Sequence, residues 1–332
     1  MNRIIFFVLL ILFAVSCESK KIAEEKKPAE TNKTAEYLAQ IESKGLDLFL
    51  NPEIGKEYVF ESQMNQKIMQ KLDTVSNETK VFQSIVYSLK PVWKDTATLR
   101  FQAKFLEIEQ KITSPMISVN ASTKKQSQQP TPLDLFYSAL KGKTFEFIIG
   151  RRGENLSLIG FDSLIGVVIT DLSKRKEFKG VDKNLISQLI SNFFNQNELQ
   201  KSFEKVFEIY PKKKVNVGDN WKVEKHLNEP VPTDITNNFS LKAIHGDSLL
   251  IDFVSDVKFE KVKSKEGEPQ VKEMSGRQNG SLIVNKSSGM LQSGNLNQSI
   301  RIVNQFPPSP QTNNKSVTLL TNINSNFLLK LK

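Results

Sequence analysis

The sequence predicts an α+β protein: β-rich, with mainly antiparallel sheets from two related halves and a helical segment between them packing on the sheet. Three observations carry this. Two long stretches alternate apolar and polar residues with period two, as strands with one buried and one wet face do. Between them, residues 161–210 space their apolar side chains three and four apart, the period of a helix face. Finally, residues 87–101 (YSLKPVWKDTATLRF) lie over residues 239–253 (FSLKAIHGDSLLIDF) without a gap.

Residues 1–16 precede this body as an address. Arg3 is followed by an apolar run from Ile4 to Phe13 and then Ala14-Val15-Ser16, the layout of a secretory signal peptide. The run is too short to cross a bilayer about 30 Å thick, which takes about 20 residues. Cys17, the single cysteine, stands where cleavage ends. This resembles the lipobox of bacterial lipoproteins, with Ala14 where Leu is usual, and the resemblance makes Cys17 the lipidation residue. Ala14-Val15-Ser16 also fits ordinary signal peptidase, which would leave a secreted protein with one free thiol. Residues 17–44 then hold the lipidated Cys and a tether rich in Lys, Glu, Ala and Thr, too polar to bury a core.

The body is residues 45–332. In its first half, 45–160, Leu46, Leu48 and Leu50 alternate, residues 52–55 form a turn, and Tyr58-Val59-Phe60 starts a strand. From Lys80 to Ile112, Phe82, Val86, Leu89, Leu99, Phe101, Ala103, Phe105 and, after a frame shift, Ile108 mark strands hinged at Lys94-Asp95. Residues 113–132, with Pro115, Pro130 and Pro132, predict an exposed loop. Leu133, Phe136 and Leu140 mark a short helix, and two strands follow, joined at residues 150–153. The helical segment, 161–210, predicts helices over 161–173 and from Lys183 onward, with a break near Asn195–Asn197 and a stop at Pro211. Period two returns in the second half, 211–332, with loops at 228–238, 263–272 and 306–315.

The two halves look duplicated. Besides the hairpins, Gly55-Lys56-Glu57-Tyr58 resembles Gly218-Asp219-Asn220-Trp221, and Phe145–Leu156 resembles Ser281–Gln292, with Gly153 facing Gly289. These residues, with Val217-Gly218-Asp219-Asn220-Trp221, Gly276-Arg277-Gln278-Asn279-Gly280 and Val284-Asn285-Lys286-Ser287-Ser288-Gly289, carry a resemblance to uncharacterised Bacteroidota lipoproteins, a domain of unknown function. The resemblance covers about residues 45–332 and implies no reaction and no catalytic residue.

Composition narrows the function. The 332 residues are 39% hydrophobic and carry 46 Lys plus Arg against 36 Asp plus Glu, a net charge of +10. One Cys excludes an intramolecular disulfide, and two His make a His-rich metal site a poor expectation. His245 shares a turn with Asp247 and Ser248, but neighbours in a turn do not build a catalytic triad. Glu107 and Glu109 point to one side of a strand and read as a wet face rather than a glycosidase pair. Arg151-Arg152, Lys174-Arg175-Lys176 and Lys212-Lys213-Lys214 are basic clusters open to anionic headgroups or polysaccharide, or to simple complementation of helix ends. Trp93 and Trp221 are candidates for sugar stacking.

Phe dominates the aromatics, with 22 against 5 Tyr and 2 Trp, which suggests a dry core or an apolar cavity. Phe101, Phe105, Phe193 and Phe194 are the expected ligand-lining residues. The expected role is non-enzymatic binding of a hydrophobic ligand or an envelope protein by a lipoprotein anchored at the outer membrane through its N-terminal lipid. The alternatives are a structural or assembly scaffold and an unrecognised hydrolase. No cofactor, metal or nucleic-acid partner is expected.

Overall fold

The computed structural model describes residues 45–124, 128–193, 196–227, 232–259, 269–309 and 315–332. Three long strands open the body: β1 (Tyr58–Leu72), β2 (Val75–Lys94) and β3 (Thr98–Thr113). A short β4 (Ser118–Ser122) and helix α1 (Pro132–Leu140) lead into β5 (Thr144–Gly150) and β6 (Ser157–Ile159). The helical segment holds α2 (Phe161–Ser173), a single 3-10 turn, α3 (Lys183–Phe193) and α4 (Gln196–Phe207). Then follow β7 (Asn220–Leu227), β8 (Thr233–His245), β9 (Ser248–Phe259), β10 (Gln270–Asn285), β11 (Leu291–Phe306) and β12 (Val317–Leu331).

All these strands join one antiparallel sheet, in the order β6-β5-β3-β2-β1-β12-β11-β10-β9-β8-β7, with β4 beside β3. Taken outward from β1, the first half reads β1-β2-β3-β5-β6; the second half reads β7-β8-β9-β10-β11 in the same direction across the sheet, with β12 inserted between the halves. The matched hairpin residues face the same side: Tyr87 and Phe239, Leu89 and Leu241, and Phe101 and Phe253 all pack into one core. Their registers differ, because β2–β3 shifts between Pro91 and Trp93 and β8–β9 between Leu241 and Ala243.

That shared side is the inner face, and the helices cover it. Phe203 of α4 lies 5.2 Å from the Phe147 ring and edge-on to Tyr87, Phe207 lies 6.1 Å from Phe101, and Phe161 of α2 meets Phe145. Helix α4 also bridges the two edges of the sheet. Gln200 Nε2 donates to the Leu156 carbonyl just before β6, while Lys225 of β7 pairs with Glu204 and Glu208. Trp221 Nε1 donates to the Ile209 carbonyl and Tyr210 donates its hydroxyl to the Gly289 carbonyl, so the chain leaving α4 is pinned to the second half.

Several elements differ from the sequence expectation. The alternating Leu46, Leu48 and Leu50 are not a strand. They form a strap, bridged at Leu46 to Val215, whose Leu50 and Asn51 amides bond the carbonyls of Arg151 and Ser288. The alternation is real because Leu48 and Leu50 are buried, but tertiary partners rather than a ladder create it. Residues 118–122, expected as loop, form β4; only Val119 and Ala121 supply apolar alternation there, too little to stand out. Strands β8 and β10 reach into the expected loops, beginning at Thr233 and Gln270. β1 runs on to Leu72 through a polar stretch, because strands on both sides complete its ladder.

Candidate functional site

Phe101 and Phe105 are buried in the helix-covered core, Phe101 stacked on Phe147 and Phe105 against Phe145. Neither lines either of the cavities described below. Phe193 is the last residue of α3. Phe194 and Cys17 lie outside the described residues. The other sequence candidates are held by structural partners. Arg151 stacks over Phe49 at 4.3 Å, and Arg152 bonds the carbonyls of Leu48 and Pro211 and the carboxylate of Asp47, so this basic pair clamps the strap. Lys124 lies 3.8 Å from Glu107 and 3.6 Å from Glu109. Asp247 accepts from Asn285 Nδ2 and Ser287 Oγ, which turns its carboxylate toward the β10–β11 turn. Trp221 stacks on Phe239 in the core, while Trp93 is exposed at the end of β2.

One concavity is on the opposite, outer face. It is a trough of about 770 Å³ that crosses six strands, from β3 to β10. Two transverse rows of side chains, set by strand register, line it. The first row runs Lys111–Phe82–Asn65–Asn326–Asn297–Asn279. The second runs Thr113–Lys80–Lys67–Asn324–Ser299–Arg277. Four adjacent strands thus each present an Asn in line, and Asn65 Nδ2 donates to Asn326 Oδ1 at 3.3 Å. Asn is depleted in strands, so a row of four on central strands is not explained by strand preference.

The cations stand on β3, β2 and β1 and again on β10, with β12 and β11 uncharged between them. Glu78, from the β1–β2 hairpin, bonds Lys67 at 2.8 Å and Lys80 at 3.2 Å. The hydrogen bonds from Lys67 and then Lys80 hold its carboxyl below the usual carboxylate range. Lys111 pairs with Glu109 at 2.9 Å and its ammonium lies 5.7 Å from the Phe82 ring centre. Arg277, at the other end, has no ion-pair partner among the described residues.

Between these two rows, but on the inner face, runs a third: Val81–Gln66–Ser325–Gln298–Gln278–Ser255. It interrupts an apolar surface. The row on one side is Met64–Phe327–Leu296–Gly280–Phe253 and on the other Ile68–Ile323–Ile300–Gly276–Val257. Gln66 Nε2 donates to Ser325 Oγ at 3.0 Å, yet Gln66 Oε1, Gln298 Oε1 and Ser255 Oγ are buried and meet no partner among the described residues.

A second cavity, about 670 Å³, lies at the turn end of the sheet near Tyr58, Asp247 and Lys332. Its polar groups largely satisfy one another: Lys94 Nζ bonds Asn51 Oδ1 and the Pro52 carbonyl, both at 3.1 Å. Among the described residues no three His, Cys, Asp or Glu side chains gather as metal ligands, and no helix is long and apolar enough to cross a membrane.

Sequence reasoning missed the trough. Its signal, Asn at period-two positions of strands that are otherwise ordinary, becomes visible only when the strands are in register.

No curated protein matches the chain in sequence. Among solved structures, lipovitellin, described for its lipid–protein interactions, is similar over 84% of this chain at 10% identity and a TM-score of 0.42. The chain spans 25% of the lipovitellin chain. Salmonella typhi OmpF, solved in complex with daunomycin, covers 84% of this chain at 6% identity with a TM-score of 0.20, and Pseudomonas aeruginosa OccK1 covers 82% at 7% with 0.14. Scores and identities this low place no constraint on ligand or role. Residues 94–291, from the β2–β3 turn through the helical segment to the start of β11, match the model of a family of unknown function, DUF6263, and the chain belongs to that family.

Proposed function

We propose that this protein is a non-enzymatic binding protein of the bacterial cell envelope, held at the outer membrane by lipid on Cys17, and that it holds an extended envelope component across the outer face of its sheet. The observation that carries this reading is the trough, where two registered rows of amides and cations face solvent over six strands. Four in-line Asn side chains do nothing for the packed core on the other face, whereas they offer a repeated donor and acceptor to a ligand.

The test is a photo-crosslinking residue at Asn279, installed in the native cell, with a second at Lys174 on the helical side as control. A product formed from position 279 and not from 174 supports the reading. Products from 174 alone would move the binding surface to the helical side and sink it. The anchor has its own test: Cys17→Ser should release the protein from the membrane fraction, and retention after signal-peptide removal would refute lipid anchoring.

A hydrophobic ligand has one specific support, the buried polar row on the inner face. Its unpartnered Gln66, Gln298 and Ser255 oxygens lie between apolar rows, an arrangement suited to the polar end of an amphiphile. Native mass spectrometry of the full chain, with organic extraction, checks this: a lipid-sized adduct lost on extraction supports it, and a uniformly unliganded mass counts against it.

A further inference from the structure

Resting on the reading that the trough is the binding site, we infer that its ligand is an acidic polysaccharide, a glycan with occasional uronate carboxylates, lying across the strands. Direction comes first. The trough runs at right angles to β1, β10, β11 and β12, whose backbone groups are already paired on both sides. A peptide laid along it finds no free edge to extend. A ligand must bind the side chains, and these recur once per strand, about every 4.8 Å, close to the length of one hexopyranose unit along a glycan.

The chemistry of the rows matches a sugar polymer. Each Asn amide offers both donor and acceptor, which is what a run of sugar hydroxyls needs and what a lipid chain cannot use. Phe82 supplies an aromatic surface at the β2 end of the Asn row. Sugar rings pack their C–H faces on such surfaces. The charge is sparse: Lys67, Lys80, Lys111 and Arg277 line the trough, and Asp256 of β9 stands opposite Arg277 just beyond it without forming an ion pair. Glu78 is shared between two lysines and so leaves one excess positive charge there, while Glu109 offsets Lys111. The trough is therefore positive at Lys67/Lys80 on β1 and β2 and at Arg277 on β10, with neutral side chains on β12 and β11 between them. A polymer with a phosphate at every step would meet amides where it needs cations. A glycan with well-spaced carboxylates meets what it needs at both.

The experiment uses the full-length protein in detergent micelles and titrates a hyaluronan hexasaccharide, with a uronate on every second sugar, and its methyl ester by calorimetry. Esterification removes the charge and keeps the ring hydroxyls. The acid form is expected to bind about tenfold or more tighter than the ester, and Arg277→Gln to weaken the acid alone by about threefold, the share of one of the two positive places. The double variant Asn297→Ala/Asn326→Ala should weaken both forms about tenfold. Arg277→Gln alters an exposed side chain, so its result stands even if the double variant folds poorly. Equal binding of ester and acid would overturn the acidic assignment. Binding of neither, while crosslinks still form from position 279, would overturn the glycan and leave the trough as the site of another partner. Loss of both would end this inference and the proposed function together.

Discussion

Gly153 and Gly289 occupy matching turns of the two halves, and both hold left-handed backbone, with φ of +85° and +69°. Each is also backed by another part of the chain. A Cβ on Gly153 would overlap the Phe207 carbonyl at the end of α4, and one on Gly289 would overlap the Phe49 carbonyl of the strap. Conformation and space therefore both demand glycine. Gly142, with φ of +80° and open space around it, faces only the first demand. Gly153→Ala and Gly289→Ala should each cost about 2–4 kcal/mol, against about 1 kcal/mol for Gly142→Ala, read as urea midpoints. Three equal losses would show that the close approaches are not tight.

Asp95, at the β2–β3 turn, accepts backbone amides from Thr98 at 2.7 Å and Ala97 at 2.8 Å. These bonds, Thr98 first, hold its carboxyl below the usual range. A depressed folded-state pKa means that the contribution is complete above the unfolded value near 3.9 and is lost as pH falls through the folded one. Asp95→Asn should be less stable than the parent at neutral pH, and the two should converge as the pH is lowered through that window. A gap unchanged in acid would assign the effect to turn geometry instead. The matching Asp247 was legible as a turn residue, but its bonds to Asn285 and Ser287 tie two turns together, which one hairpin's sequence does not contain.

Among the elements, α1 was legible from the spacing of Leu133, Phe136 and Leu140, whereas its cap lies in residues read as loop. Thr131 caps it, and Asp134 reaches back to the Thr131 amide, a reciprocal box formed by residues three apart. Asp134 Oδ1 also accepts the Ser122 amide, so the cap fastens β4 to the helix. Thr131→Ala should cost about 1 kcal/mol. Asp134→Ala should cost more, about 2–3 kcal/mol, because three backbone or hydroxyl donors lose their acceptor. Hydrogen exchange should then rise in β4 as well as in α1; a rise in α1 alone would refute the link. Strands were legible where one face is apolar, as in β2, β3 and β9. The second half of β1 and all of β4 were not, because their neighbours supply most of what makes them strands.

At the scale of the molecule, α4 joins the two edges of an open sheet. Phe203 sits 5.2 Å from Phe147 and 5.8 Å from Tyr87, and Lys225 couples the helix to β7. Phe203→Ala should therefore cost about 3–5 kcal/mol by cavity formation and should loosen both edges together. Exchange of β6 and β7 amides is the measurement, and loosening of β6 alone would show that α4 serves one half only. The trough should survive this change, since neither β6 nor β7 lines it.

Neighbours a few residues apart were enough to give the strand and helix periods, the Asp95 turn, the paired hairpins and the apolar run from Ile4 to Phe13 ahead of Cys17. Tertiary structure alone decided the strap at Leu46–Leu50, the union of the halves into one sheet, and the alignment of Asn65, Asn326, Asn297 and Asn279. Asn65 and Asn326 bond across 261 positions of chain. Which residues face one another at that separation is set by the register of long strands and by β12 lying between β1 and β11, and no local spacing encodes either.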